Sequence, residues 1–400
     1  MLDTSASNMT ASPCSYPHIT SMQWEFDGDP CQRAWVEIDL KALVQNVTQI
    51  KSLLSPQTAL MAVVKADAYG HGARIVSQKV LEAGASWLGV ATVPEGIELR
   101  QAGIDVPILV LGAVNSPEEI QAIAHWKLQP TICSPQQAKT FEKTLGNLEQ
   151  KLPVHVKLDT GMSRLGTFWQ DATEFIELVQ KLSNLEIASI YSHLATADDV
   201  DPTVMKQQHE RFQSAIASLK ATGIIPRLHL ANSAATLSDR ALHYDMVRVG
   251  LALYGLYPAE HLKQVINLKP VLSVKARVTQ VKTISPGTGV SYGYKFVASK
   301  ETQIAVVGIG YADGVPRSLS NKMKVLIRGQ IVPQIGAITM DQLMLDVSSI
   351  PDLQVGEVVT LLGEQGNIKI QADDWASALG TISWEILCGF KHRLPRVAVG

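Results

Sequence analysis

The chain has 400 residues, 46 % hydrophobic and 18 % charged, with a formal net charge of −2. Its length exceeds the usual single-domain range and predicts two domains. Balanced charge without a basic run excludes the electrostatic footprint of a nucleic-acid binder, and no apolar stretch approaches the ~20 residues of a membrane helix.

Residues 1–33 form an N-terminal extension rich in Ser, Thr and Pro, with no Lys or Arg before Arg33. Lacking a basic start, an apolar core and arginines, it resembles neither a signal nor a transit peptide. It reads as a flexible segment on a cytoplasmic protein, with Trp24 and Phe26 able to dock on the body. Cys14, Cys31, Cys133 and Cys388 lack CxxC spacing and read as reduced thiols.

The strand "AWVEIDL" comes next and is a candidate partner for a later domain. Eight apolar runs follow: "MAVVKA", "WLGVA", "PILVLG", "QPTIC", "VHVKLD", "IASIYSHL", "RLHLAN" and "MVRVG". They alternate with helical patterns such as "GARIVSQKVLEAG" and "SPEEIQAIAHW", several opening at Ser or Pro and several ending at Gly. Eight β-then-α units with few polar strand positions predict a parallel sheet covered by helices. No strand leads into GxGxxG, so the expectation is a (β/α)8 TIM-type barrel over residues 34–264 rather than an open doubly wound sheet. From residue 265 to 400, strands such as "VLSVKARVTQVKTI" and "EVVTLLGEQGNIKI" punctuated by Gly and Pro predict a mainly antiparallel β domain, with one helix near "QADDWASALG".

In such a barrel, chemistry belongs at the C-terminal ends of the strands. Those ends carry Lys65, Lys157 with Asp159, His193, Asn232 with Ser233, and Arg248. One polar strand end is ordinarily a solvated terminus, but five in equivalent places indicate a site. A partly desolvated Lys65 loses proton affinity and can form a Schiff base with an aldehyde, the chemistry of pyridoxal phosphate. Ser233, the permissive Gly250 and the phenol of Tyr69 are then candidates to hold the phosphate, and Arg248 to face the ring. Packing and turn roles are the alternatives for Tyr69 and Gly250. The remaining histidines show no HxH or HExxH spacing, so no metal is expected.

"VVKADAYGHG", "KLDTGMSRLG", "SHLATAD", "HLANSAA", "MVRVGLALYG", "GVSYG", "GYADG", "GAITMDQ" and "TISWEILCG" together closely resemble alanine racemase, in order and over residues 34–400. The resemblance implies a pyridoxal 5'-phosphate enzyme interconverting L- and D-alanine for peptidoglycan, with Lys65 and Tyr292 as its two catalytic bases. It implies that Arg248 bonds the pyridine nitrogen and that Tyr69, Ser233, Gly250 and Leu251 hold the phosphate. Arg164 would hold the substrate carboxylate, positioned by a carbamylated Lys157, and His193 would orient Arg248 and Tyr292. Tyr292 and Met340 would reach the site from the other subunit of a homodimer, with Tyr311 and Asp341 lining the entrance.

These roles are physically coherent. Racemisation needs a base on each face of Cα, and lysine and tyrosine, with reference values of about 10.4 and about 10, both need lowering. Arginine at the ring nitrogen weakens the electron sink and so disfavours transamination. Tyr294 competes with Tyr292 if that segment is extended, when both share a face. Family members commonly carry arginine at Ala337 and tyrosine at Trp384, so a wider or less cationic inner gate is expected. The alternatives are a racemase of broader specificity, a fold-related basic amino-acid decarboxylase, and a non-catalytic carrier of the cofactor. Arg248 argues against the decarboxylase and the β domain against the carrier.

Overall fold

The computed structural model describes residues 32–220 and 226–400; all of the N-terminal extension except Gln32 and Arg33 lies outside the described residues, including Cys14 and Cys31. Strand β1 (Ala34–Asp39) runs into a helix over Leu40–Leu53, capped by the Asp39 side chain accepting from the Ala42 amide.

The barrel then builds from β2 (Ala59–Val63), β3 (Trp87–Val90), β4 (Ile108–Ala113), β5 (Gln129–Ile132), β6 (Leu152–Asp159), a short β7 (Thr167–Phe168), β8 (Leu185–Tyr191), β9 (Arg227–His229) and β10 (Met246–Val249). Its order is β10-β2-β3-β4-β5-β6-β8-β9, all parallel, with β7 attached to β6. The ring closes where the Arg248 amide donates to the Ala231 carbonyl just beyond β9, at 2.9 Å. Strands such as β2 and β10 are buried almost throughout, as a sheet between a filled interior and a helical coat requires. The helices begin where Ser and Pro predict: Ser116 and Ser134 accept from the amides of Glu119 and Gln137, with Pro117 and Pro135 opening the first turn.

The second sheet comprises β11 (Leu272–Ile284), a hairpin of β12 (Gly289–Val290) and β13 (Phe296–Val297), β14 (Thr302–Val307), β15 (Lys324–Ile327), β16 (Gln330–Ile335), β17 (Leu343–Asp346), β18 (Val358–Gln365), β19 (Ile368–Ile370) and β20 (Arg396–Val399). The pairings β11–β14–β17–β16–β15–β18–β11 close an antiparallel ring, which leaves few free edges. β1 joins this sheet, antiparallel to β11 and parallel to β20, so the first and last strands of the described residues pair with each other. The expected helix spans Ala372–Leu379, and a second, which the sequence pattern does not announce, spans Ser383–Gly389. Val36, Val274, Val110 and Leu387 belong to one continuous core running through both parts.

Candidate active site

Lys65 follows β2 and opens an unusual turn. Ala66, Asp67, Ala68 and Tyr69 have φ between 53° and 55°, a left-handed turn that ends at Gly70 with φ 82°. Left-handed backbone costs roughly 1–2 kcal/mol per non-glycine residue, so the turn must be held by its surroundings. One Glu95 oxygen accepts from the Ala66 amide at 2.8 Å, and the other accepts from Ala91 and Thr92 at 2.7 and 3.2 Å. Asp67 accepts from the Ala73 amide at 2.7 Å. Nδ1 of buried His71 lies 2.9 and 3.0 Å from the carbonyls of Ala68 and Tyr69, so it carries the proton and donates.

The turn directs Lys65 and Tyr69 into a cavity of about 570 Å³ that also receives Arg248, His193, Ser233 and Trp384. Burial lowers the Lys65 ammonium below its ordinary value, and nearby Arg164 adds to the effect. Burial pushes the Tyr69 phenol up to about 12, which keeps it a donor at neutral pH. At Gly250 a Cβ would stand 2.6 Å from the Tyr69 hydroxyl, so glycine is required for that approach. The amides of Gly250 and Ala252 donate to Ser233 Oγ at 3.0 and 3.4 Å, gathering Tyr69, Ser233, Gly250 and Leu251 in one corner.

Arg248 is buried at the end of β10. It donates to Nδ1 of His229 and of His193, and to the carbonyls of Ser192 and Leu230. Its guanidinium also lies 5.1 Å from the Tyr191 ring, which stacks on His229. Burial lowers it to about 10, leaving it charged at neutral pH. The contacts continue down the barrel: His229 Nε2 to Ser189 Oγ at 2.7 Å, Ser189 Oγ to His155 Nδ1 at 2.5 Å, His155 Nε2 to Gln129 at 2.7 Å.

On β6, Lys157 is 5 % exposed and forms no ion pair among the described residues. Burial first, then Arg248 and Arg164, lowers its amine to about 8. Asp159 Oδ1 accepts from the amides of Gly161, Met162 and Ser163, shaping the loop that presents exposed Arg164.

The remaining expected site residues sit elsewhere in this chain. Tyr292, Tyr311 and Met340 are exposed on the second domain, and Tyr292 lines a separate cavity of about 810 Å³ with Thr339 and Lys282. Asp341 pairs with Arg393 at 2.7 Å. The single chain therefore does not bring Tyr292 or Met340 to Lys65, and His193 reaches Arg248 but not Tyr292. Tyr294 does not share an extended face with Tyr292: both lie in a 3-10 turn with Gly293 at φ 69° and Tyr294 at φ 44°. Ala337 is buried, its carbonyl accepting from Ser291 Oγ at 2.7 Å, whereas Trp384 lines the Lys65 cavity.

Sequence reasoning gives no site role to Glu95, Tyr191, His229, His155 or Cys388, the last of which lines the Lys65 cavity. "TVPEG" does hold a signal, since Thr92 with Glu95 three residues on is a capping box. His155 and His229 sit on alternating strand positions that read as ordinary core.

A lysine of lowered proton affinity, a donor-only arginine and a corner that tolerates no Cβ fit an aldehyde cofactor bearing a phosphate. Fold and site thus define a barrel enzyme with a cavity suited to pyridoxal phosphate. Residues 38–258 match the model of the alanine racemase N-terminal domain and residues 271–398 that of the C-terminal domain. The chain belongs to the alanine racemase family, pyridoxal-phosphate-dependent isomerases. It is 70 % identical to an alanine racemase from Nostoc sp. over 92 % of this chain and 96 % of that one. Among solved structures, it resembles alanine racemase from Clostridium difficile 630 at TM-score 0.88 and 37 % identity, covering 92 % of this chain and 96 % of the other. It also resembles the Bartonella henselae enzyme with covalently bound pyridoxal phosphate, at TM-score 0.83 and 30 % identity, over 92 % and 100 % of the two chains. Among the described residues no helix is long and apolar enough to cross a membrane.

Proposed function

We propose that the protein interconverts L- and D-alanine in the cytoplasm, supplying D-alanine for peptidoglycan, and works as a homodimer. The observation that carries the reading is the half-buried Lys65 amine sharing one cavity with Arg248 and the Tyr69–Ser233–Gly250 corner.

Bound pyridoxal phosphate supplies an electron sink that acidifies the substrate Cα–H. Lys65 would hold the cofactor at rest and, once the substrate's own amine has replaced it there, is freed to serve as the base on one face of Cα. Its lowered proton affinity keeps part of the amine neutral and able to accept that proton. Tyr292 of a second subunit returns a proton to the other face; its exposure on its own chain leaves it free to do so. Arg248, charged and donor-only, bonds the ring nitrogen without giving up a proton. Tyr69, Ser233, Gly250 and Leu251 hold the phosphate.

Arg164 binds the alanine carboxylate. Lys157, lowered to about 8, is neutral often enough to add to carbon dioxide. A carbamate N–C bond forms with loss of one proton, and the resulting anion pairs with Arg164. Met340 of the second subunit gives its amide to the carboxylate, while Tyr311 and Asp341 border the entrance. The test is a chiral assay on protein supplied with the cofactor. L-Alanine is expected to yield a racemic mixture, and absence of D-alanine would overturn the proposal.

A further inference from the structure

Arg396 lies in β20 of the second domain, yet its side chain, 14 % exposed, serves the turn that carries Lys65. Nε and Nη2 donate to the Gly70 carbonyl at 3.0 and 2.9 Å. The remaining donor capacity goes to the carbonyls of Phe390, Lys391 and Leu394 at 2.6–2.8 Å, and Asp67 lies 3.9 Å away. Gly70 ends the left-handed turn and packs so closely on the helix Ser383–Gly389 that a Cβ there would stand 2.5 Å from the Leu387 carbonyl. Glu95 and His71 hold the turn from the barrel side. Arg396 is the corresponding hydrogen-bonding hold from the second domain, and only a planar guanidinium fork can bind Gly70 while tying down three further carbonyls.

We infer that Arg396 is a positioning residue for Lys65 and Tyr69: it makes the left-handed turn, and with it the barrel's grip on the cofactor, depend on the docked second domain. The functional part of this rests on the proposed cofactor roles of Lys65 and Tyr69. A backbone that strained relaxes when one of its holds is lost, and β20 ties that hold to β1 and hence to the sheet.

The test is hydrogen–deuterium exchange on the full-length protein as purified, comparing Arg396→Met and Arg396→Lys with wild type. The amides of Ala68 and Gly72, which bond to Val64 and Asp67, report the turn; that of Val156 on β6 reports the barrel. Loss of charge-assisted bonds predicts exchange about tenfold faster or more at Ala68 and Gly72 in Arg396→Met, a smaller change in Arg396→Lys, and a wild-type rate at Val156. Pyridoxal phosphate should dissociate more readily from Arg396→Met, while KM for alanine at saturating cofactor stays unchanged. Wild-type exchange at Ala68 and Gly72 in both variants would overturn the inference, as would an equal loss of protection at Val156. If wild-type protein carried no cofactor on Lys65, the functional proposal would fall while the exchange contrast remained.

Discussion

Arg248 donates to two histidines at once, Nδ1 of His229 and Nδ1 of His193, each 3.1 Å away. A guanidinium has no acceptor, so both nitrogens must accept. His229 then carries its proton on Nε2 and donates to Ser189, whose hydroxyl donates to His155, whose Nε2 proton goes to Gln129. One donor-only group therefore orients every proton along a buried path from the cavity into the barrel. Both histidines on that path are neutral, as their depressed proton affinities require.

That neutrality sets an acid limit on stability. Burial lowers His155 to about 3 and His71 to about 4, against an ordinary 6.5. Between those values and 6.5 the unfolded chain binds protons that the folded chain refuses, so these histidines make stability fall as pH drops below 6.5 and add no slope well above it. The slope per histidine is at most about 1.4 kcal/mol per pH unit. Urea midpoints at constant ionic strength should decline steadily from pH 6.5 towards pH 4.5; a level profile over that range would contradict the assignment.

Arg248→Glu should change what the site does as well as how fast. An acceptor replaces the donor proposed for the ring nitrogen, and Nδ1 of His229 and His193 lose their partner. Racemisation should fall about a hundredfold or more, the scale for removing a preorganised donor, while pyruvate release by transamination rises. A coupled lactate dehydrogenase assay measures the pyruvate; none above the wild-type level would count against Arg248 as the residue restricting the reaction.

Ala66→Gly should stabilise the protein, against the usual cost of glycine in a helix. Ala66 is exposed and left-handed, so the substitution removes steric strain without removing packing. A gain of about 1 kcal/mol is expected, reduced somewhat by the entropy of an added glycine. Thermal and urea denaturation measure it, and a loss of similar size would show that the turn is not left-handed in solution.

The barrel is legible in the sequence because each strand is a short apolar run and several helices bring their own caps. The ends of those runs mark Lys65, Lys157, His193, Ser233 and Arg248 directly. The left-handed turn is not legible, since "KADAY" holds residues that a right-handed helix welcomes, and its holds at Glu95 and Arg396 come from distant chain. The histidine path is hidden because Gln129, His155, Ser189 and His229 converge from four strands, each locally an ordinary core position. The closed ring of the second domain depends on β11 meeting β18, a long-range pairing that no local periodicity records.

The proposed sharing of each site between two subunits predicts complementation. Lys65→Ala and Tyr292→Phe should each lose a hundredfold or more, roughly the worth of a catalytic base. In a co-expressed mixed dimer one site carries both lesions and the other carries neither, so a sizeable fraction of wild-type turnover should return. No recovery beyond the separate variants would mean that Tyr292 does not act across an interface.

The most direct measurement is borohydride reduction of the purified protein followed by peptide mapping. The account predicts a stable pyridoxyl group on Lys65, within the peptide containing "AVVKADAYGHG", and loss of the yellow absorbance. A label on Lys157 or another lysine, or a protein that stays colourless with added pyridoxal phosphate, would contradict it.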